Sequence, residues 1–370
     1  MKLNMKLLVE KHLISPRSKI IIMKKIKSYA AVNSSSPLEP YDIERRECNA
    51  EDVLIKIEYC GVCHSDIHMA RNEWGGSSVY PLVPGHEIIG VVEQVGNKVT
   101  NFSKGDNVGV GVYVDSCGEC NNCKTNLDHY CEKGIVLTYN SYEYGTQTIT
   151  YGGYSKKIVV KEGYVIKIPD GMDKSKAAPL LCAGITTYSP LRNFNIGSEH
   201  RVGITGLGGL GHMGLKFAVS FGANVTVFST SEEKREEALT FGANNFVNIN
   251  NEEESKKELN SYNYILDTVS ANRNIGKVFS WLTTDGIIMT VGLPTEPHKI
   301  SSFDLIDKRK GIIGSSIGSI SETQEMIYYC HKHNIYPEVE VISIDKINEA
   351  FDNTVAGKVR YRYVIDMSSL

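Results

Sequence analysis

From Tyr29 to about Lys167, short apolar runs with a period near two alternate with polar turns. Val53-Leu-Ile-Lys-Ile-Glu-Tyr59 partly alternates. Gly90-Val-Val-Glu-Gln-Val95, Asn107-Val-Gly-Val-Gly-Val-Tyr113 and Lys157-Ile-Val-Val160 are rich in β-branched residues. Glycine and proline separate these runs. The pattern predicts a compact, barrel-like β-rich domain that carries loops. Segment 137–150, with several Tyr and Thr, is expected to be a hairpin or loop.

Near Ala183 the pattern changes. Buried strands are expected at 201–205, 224–228, 245–249, 264–268, 286–291 and 311–314. Helices are expected at 209–221 and at 231–240, the latter with Ser231 as its N-cap. Strands alternating with helices predict a doubly wound parallel sheet. A helix at 322–333 and a strand at 361–365 then look like a return to the first domain. The expected architecture is therefore α/β with two domains: 23–182 β-rich, 183–319 doubly wound, and 320–370 returning to the first. Residues 1–22 are basic and mixed, and are expected to form a poorly ordered extension.

Composition narrows the classes. The 370 residues fit two domains, and 41% hydrophobic with 22% charged residues is ordinary for a globular chain. A net charge of -3 offers no broad basic field, which argues against nucleic acid and acidic lipid as partners. No apolar stretch approaches the roughly 18–20 residues needed to span a bilayer. Four of the nine cysteines lie between 117 and 131, a crowding that suits a metal in a reducing cytoplasm better than paired disulfides.

Cys117, Cys120, Cys123 and Cys131 have the spacing C-x2-C-x2-C-x7-C. Four thiolates on one loop can close tetrahedrally on zinc and leave no position open for chemistry. Iron–sulfur ligation is the competing metal reading. His129, inside this loop, reads as a bystander. A second set is dispersed: Cys63, His86 and Cys182, two thiolates and an imidazole. That is a three-ligand zinc site with a fourth position for water or substrate. Glu87 is placed to ligate when substrate is absent. Taken alone, Cys182 in its apolar run would read as a buried thiol.

Ser65 and His68 are one helical turn apart and would share a face, as a proton path between a buried alkoxide and solvent requires. Asp66 is expected to orient a ligand from behind. His64 reads as surface, and Cys48, Cys60 and Cys330 as structural. Gly206-Leu-Gly208-Gly209-Leu210-Gly211 fits G-x-G-x-x-G between an expected strand and helix, the context of a dinucleotide pyrophosphate site. About 20 residues on, no acid stands at the strand end. Ser229, Thr230, Ser231 and Lys234 stand there instead and suit a 2′-phosphate, which favours NADP over NAD.

Together these residues resemble the zinc-containing medium-chain dehydrogenases, closest to the cinnamyl alcohol dehydrogenase and aldehyde reductase branch. The resemblance rests on Gly61-Val-Cys63-His64-Ser65-Asp66-Ile67-His68, Val83-Pro-Gly85-His86-Glu87, the four-cysteine loop, Leu181-Cys182-Ala183-Gly184, Gly206–Gly211, Asp267-Thr-Val-Ser270, Gly314-Ser-Ser-Ile-Gly318 and Val359-Arg-Tyr-Arg362. It implies a GroES-like catalytic domain, a Rossmann domain, an active site in the cleft between them and a homodimer. It further implies that Trp74 shapes the substrate pocket and that Val291, Ser315 and Ile317 lie near the nicotinamide. The expected activity is hydride transfer between NADP(H) and an aldehyde or primary alcohol, with two Zn2+ per chain. The competing readings are an NAD-dependent polyol dehydrogenase and a non-catalytic zinc or NADPH-binding redox sensor.

Overall fold

The computed structural model describes residues 23–370. The expectation for residues 1–22 lies outside the described residues.

The first half is β-rich. Asp52–Gly61 is its spine, pairing antiparallel with Ile88–Val95, with Lys157–Lys161 and with Arg362–Asp366. Asn107–Val110 and Ile166–Lys167 extend one side, and Val339–Ser343 runs parallel to Arg362–Asp366 on the other. Met23–Ala30 and Glu39–Arg46 make a separate antiparallel pair. The core below is built from β-branched residues such as Val53, Ile55, Ile57, Ile88 and Val92, almost wholly removed from water. Burying each stabilises by roughly 1.5–3 kcal/mol relative to exposure.

The run 107–113 is not one strand, as its pattern suggested. It breaks at Gly111-Val112 into Asn107–Val110 and Tyr113–Asp115, which lie in different sheets. The cause is Thr138. Its hydroxyl donates to the Gly111 carbonyl and its N–H to the Val112 carbonyl, drawing both groups away from the first sheet. Segment 137–150 folds back as a loop with one bridge, Tyr142 to Ile149.

The second half holds a six-stranded parallel sheet in the order Asn245–Asn248, Asn224–Ser229, Arg201–Thr205, Tyr262–Asp267, Leu282–Thr290, Gly311–Gly314. Arg201–Thr205 is central and buried from Val202 onward, as a strand covered on both faces requires. Gly206 has φ +83°, and a Cβ on Gly211 would stand 2.0 Å from the Gly206 carbonyl oxygen. The first and last glycines of the motif therefore let the chain turn sharply into the helix Gly211–Ser220. Ser231 sits at the expected helix start, but its side chain caps nothing. A short 3-10 turn, Glu232–Lys234, intervenes before the helix Arg235–Thr240.

The return of the chain to the first sheet is made by Val339–Ser343 and Arg362–Asp366. The helix Ile320–His333 instead lies against Ala183–Asn193. Tyr188 donates to Glu325 at 2.9 Å and Ser189 to Glu322 at 3.0 Å.

Candidate active site

Cys63 immediately precedes the helix His64–Ala70, and its N–H donates to Asp66 Oδ2 at 2.9 Å. His86 lies just before strand Ile88–Val95. Cys182 stands at the junction of the 3-10 turn Ala178–Leu181 with the helix Ala183–Asn193. Three remote pieces of chain thus bring the ligand atoms of Cys63, His86, Glu87 and Cys182 within 4.8 Å of one another, all buried. The two sulfurs are 3.8 Å apart. Two thiolates about 2.3 Å from one tetrahedral zinc would be separated by roughly that distance.

Asp66 organises this cluster. Its Oδ1 accepts from the Gly85 N–H at 3.0 Å and from His86 Nδ1 at 3.1 Å. Nδ1 therefore carries the proton, and Nε2 is left with a lone pair for a metal. The Cys63 thiol is pushed well down, first by its hydrogen bond with Cys182 and then by the charges of Arg362 and His86. Glu87 has both carboxylate oxygens buried without a hydrogen-bond partner. Burial lifts its pKa to about 7, against the pull of Arg362. Two thiols, an imidazole nitrogen and a buried carboxylate without a hydrogen-bond partner fit a divalent cation.

The four remaining predicted cysteines also converge, within 4.8 Å. Cys117 and Cys123 sulfurs are 3.8 Å apart, and Cys120 and Cys123 sulfurs 3.4 Å. Backbone N–H groups of Cys120 and Cys117 point at the sulfurs of Cys117 and Cys131, each at 3.4 Å. This spacing fits one tetrahedral ion and is too tight for the iron–sulfur alternative, whose ligands must span several metal atoms.

A cleft of about 1100 Å³ joins the first cluster to the glycine loop. Cys63, His86 and Cys182 lie on its wall, with Ser65, His68 and Trp74 beside them. Glu87 sits behind, away from the cleft. Gly206, Gly208, Gly209 and Leu210 line the far end, while Gly211 is buried inside the helix start. Ser229, Thr230, Ser231 and Lys234 form the outer corner, and Val291, Ser315 and Ile317 the wall between. Lys234 Nζ donates to the Leu207 carbonyl at 2.9 Å, which ties this cation to the glycine loop. Its pKa is lowered by burial and then by Arg360 nearby.

Ser65 and His68 share a helix face, as expected, but no hydrogen bond joins them among the described residues. The Cys63 thiol donates to the Ser65 hydroxyl oxygen at 3.6 Å. His68 Nδ1 meets Glu73 Oε2 at 2.5 Å, and its ring stacks on Trp74 at 5.0 Å.

A model of the alcohol dehydrogenase GroES-like domain matches residues 49–170, and one of the zinc-binding dehydrogenase matches 209–331. The NADP-dependent alcohol dehydrogenase C 1 of Mycolicibacterium smegmatis is 48% identical over 349 residues, 94% of this chain and 99% of that protein. This chain belongs to the zinc-binding alcohol dehydrogenases. Among other members of that family, the aldehyde reductase YahK of Escherichia coli is 49% identical over 348 residues, covering 94% of this chain and 99% of the other. The crystal structure of CAD from Helicobacter pylori complexed with NADP(H) is 40% identical, covers 94% of this chain and 99% of its own, and superposes with a TM-score of 0.88. The fold is the GroES-like and Rossmann pair that the resemblance implied.

Three residues of this alcohol dehydrogenase site had no role assigned from sequence. Arg362 is buried, its Nη1 is 3.4 Å from Glu87 Oε1, and it donates to the Val62 carbonyl at 3.1 Å. A Cβ on Gly209 would meet Arg362 Nε at 2.6 Å, so this cation packs directly under the glycine loop. Burial opposes its charge, but Glu87 and the thiolates hold its pKa above the usual value. Glu73 binds His68, as above. His64, read as surface, lines the cleft. Arg362 lies in the matched run Val359–Arg362, which was the only available signal.

Proposed function

We propose that this chain is a zinc-dependent alcohol dehydrogenase that reduces aldehydes with NADPH and runs in reverse on primary alcohols. The observation that carries it is the convergence of Cys63, His86 and Cys182 on the wall of a cleft whose other end is the glycine loop. The NADP-dependent alcohol dehydrogenase C 1 and the NADP(H)-bound CAD named above support the cofactor. So does the strand end Ser229-Thr230-Ser231, where an NAD site would place an acid.

In this reading Cys63, His86 and Cys182 hold the catalytic zinc, with Glu87 as alternate ligand, and the four-cysteine lobe holds a structural zinc. When bound, zinc supplies a Lewis acid for the carbonyl and NADPH supplies hydride. Ser65 would pass a proton to the substrate oxygen, His68 would return one to Ser65 from solvent, and Glu73 would fix the His68 ring. Trp74 shapes the aldehyde pocket. Gly206, Gly208, Gly209 and Leu210 receive the pyrophosphate, and Gly211 lets the helix start pack closely beneath them. Ser229, Thr230, Ser231 and Lys234 hold the 2′-phosphate, and Val291, Ser315 and Ile317 flank the nicotinamide. Segments 23–182 and 183–319 are the catalytic and cofactor domains, with 320–370 returning to the first.

We further infer a homodimer in the cytoplasm. Edge strand Gly311–Gly314 leaves one side unpaired, and Phe303 and Ile306 beside it are 77% and 70% exposed. All nine cysteines are free, as a reducing compartment allows. Among the described residues no helix is long and apolar enough to cross a membrane.

The test is metal analysis followed by NADPH oxidation with aromatic and aliphatic aldehydes. Two zincs per chain and turnover are expected. Cys63→Ser and His86→Ala should stay folded, lose one zinc and lose activity. Full zinc-dependent turnover in both variants would overturn the assignment.

A further inference from the structure

The four-cysteine lobe does not only stand apart from the cleft; its last turn reaches into it. The 3-10 turn Asp128–Tyr130 ends one residue before Cys131. Tyr130 Oη accepts the backbone N–H of Ser316 at 3.1 Å, joining positions 186 residues apart. Ser316 belongs to segment 314–318, which leaves the edge strand Gly311–Gly314. Tyr130, Ser315, Ser316 and Ile317 all line the cleft.

Both sides of this contact have an independent feature. The tyrosine is braced. Asn122 Nδ2 donates to its carbonyl at 2.7 Å, the His129 ring lies 4.0 Å from its own, and the Tyr113 hydroxyl donates to Asp128 at the start of the turn. The segment it holds is strained. Ile317 has φ +43°, a left-handed conformation that a β-branched side chain resists. Such a conformation persists only where the surroundings over-determine it. Tyr113 Oη lies 3.4 Å from the Gly318 carbonyl oxygen, so tyrosines meet the segment on both sides of Ile317.

We propose that Tyr130, backed by Tyr113, is a positioning residue for the nicotinamide cofactor, holding segment 314–318 in the strained shape that forms one wall of the cleft. The proposal rests on the reading of the cleft as an NADP(H) site. It gives the lobe a role in cofactor binding, because the lobe carries Tyr130 to the wall. Neither tyrosine touches a reacting atom; both act through the backbone of 314–318.

The test uses the zinc-loaded full chain, NADPH and amide hydrogen exchange. Tyr130→Phe keeps the ring and removes the acceptor. NADPH binding, titrated by fluorescence without aldehyde, should weaken about three- to tenfold, the effect of one hydrogen bond. Exchange across 311–319 should speed, while that of Arg201–Thr205 and the zinc content should not change. KM for NADPH should rise by the same factor, with kcat falling less than about twofold. Tyr113→Phe, which frees Asp128, should move the same readouts in the same direction by a smaller factor. Unchanged affinity and unchanged exchange in Tyr130→Phe would overturn the proposal. So would zinc loss accompanying every loss of affinity in both variants, since Tyr130 would then serve the lobe alone. If the wild-type chain bound no NADPH, the cofactor reading would fall first and the proposal with it.

Discussion

Asp66 holds His86 by its Nδ1 at 3.1 Å while a second oxygen takes the Cys63 N–H at 2.9 Å, so one carboxylate fixes two of the three candidate zinc ligands. It is wholly buried, and Tyr154 Oη stands 3.3 Å from the same second oxygen. Asp66→Asn keeps the shape and loses the charge. It should lower zinc affinity at this site about 10- to 100-fold. Competition with a chromogenic chelator reads this directly, and the four-cysteine site should keep its ion.

Glu73 lies on the exposed side of His68, with its oxygen on Nδ1. It sets which ring nitrogen faces the cleft. Glu73→Gln should slow turnover by about tenfold or more, in line with the usual contribution of a positioned proton carrier. KM for the aldehyde should change little. Steady-state kinetics across pH separates this from a packing defect, because the shape of the pH profile should change as well as its height.

Lys234 is a cation at the candidate 2′-phosphate corner, and its ammonium already donates to the Leu207 carbonyl. Lys234→Ala should raise KM for NADPH about tenfold and leave KM for NADH nearly unchanged. The ratio of kcat/KM values for the two cofactors is the measurement. A wild-type enzyme that prefers NADH would show that Ser229–Ser231 do not select the phosphate.

His212, one residue past the glycine motif, is fully buried. Nδ1 donates to the Gly208 carbonyl at 2.9 Å, and Nε2 has no partner. Burial lowers its pKa from 6.5 to about 3. Below pH 6.5 the unfolded chain takes up a proton that the folded chain refuses, so stability falls as pH drops toward 3. The slope approaches about 1.4 kcal/mol per pH unit, or about 2 kcal/mol between pH 8 and pH 5. His212→Gln should remove that part. Urea unfolding of both proteins at the two pH values gives the difference of differences, in which the other histidines cancel.

Much of the site was legible because its chemistry is written in short spacings. Cys63, Ser65, Asp66 and His68 fall on one turn, and Cys117–Cys131 is a single loop. The clash a Cβ on Gly211 would make with the Gly206 carbonyl explains why that spacing reads so reliably. Arg362 was not legible as a site residue. Its neighbours Glu87 and Gly209 become neighbours only through the pairing of Arg362–Asp366 with Asp52–Gly61. Glu73 follows the helix in a turn, where no periodicity says which way its side chain points. The break at Gly111-Val112 was hidden too, because Thr138, which causes it, lies 27 residues after Gly111, just past the short strand Val136–Leu137.

That pairing also orders events during synthesis. Strand Asp52–Gly61 is made early, yet one of its edges is closed by Arg362–Asp366. Until residue 362 has left the ribosome, Glu87 is without its cation and the underside of the glycine loop is open. The metal wall waits as well, because Val62, next to Cys63, donates its N–H to the Tyr363 carbonyl at 2.9 Å. A chain that stops before residue 362 lacks these partners on both sides of the cleft, beside Cys63 and under Gly209.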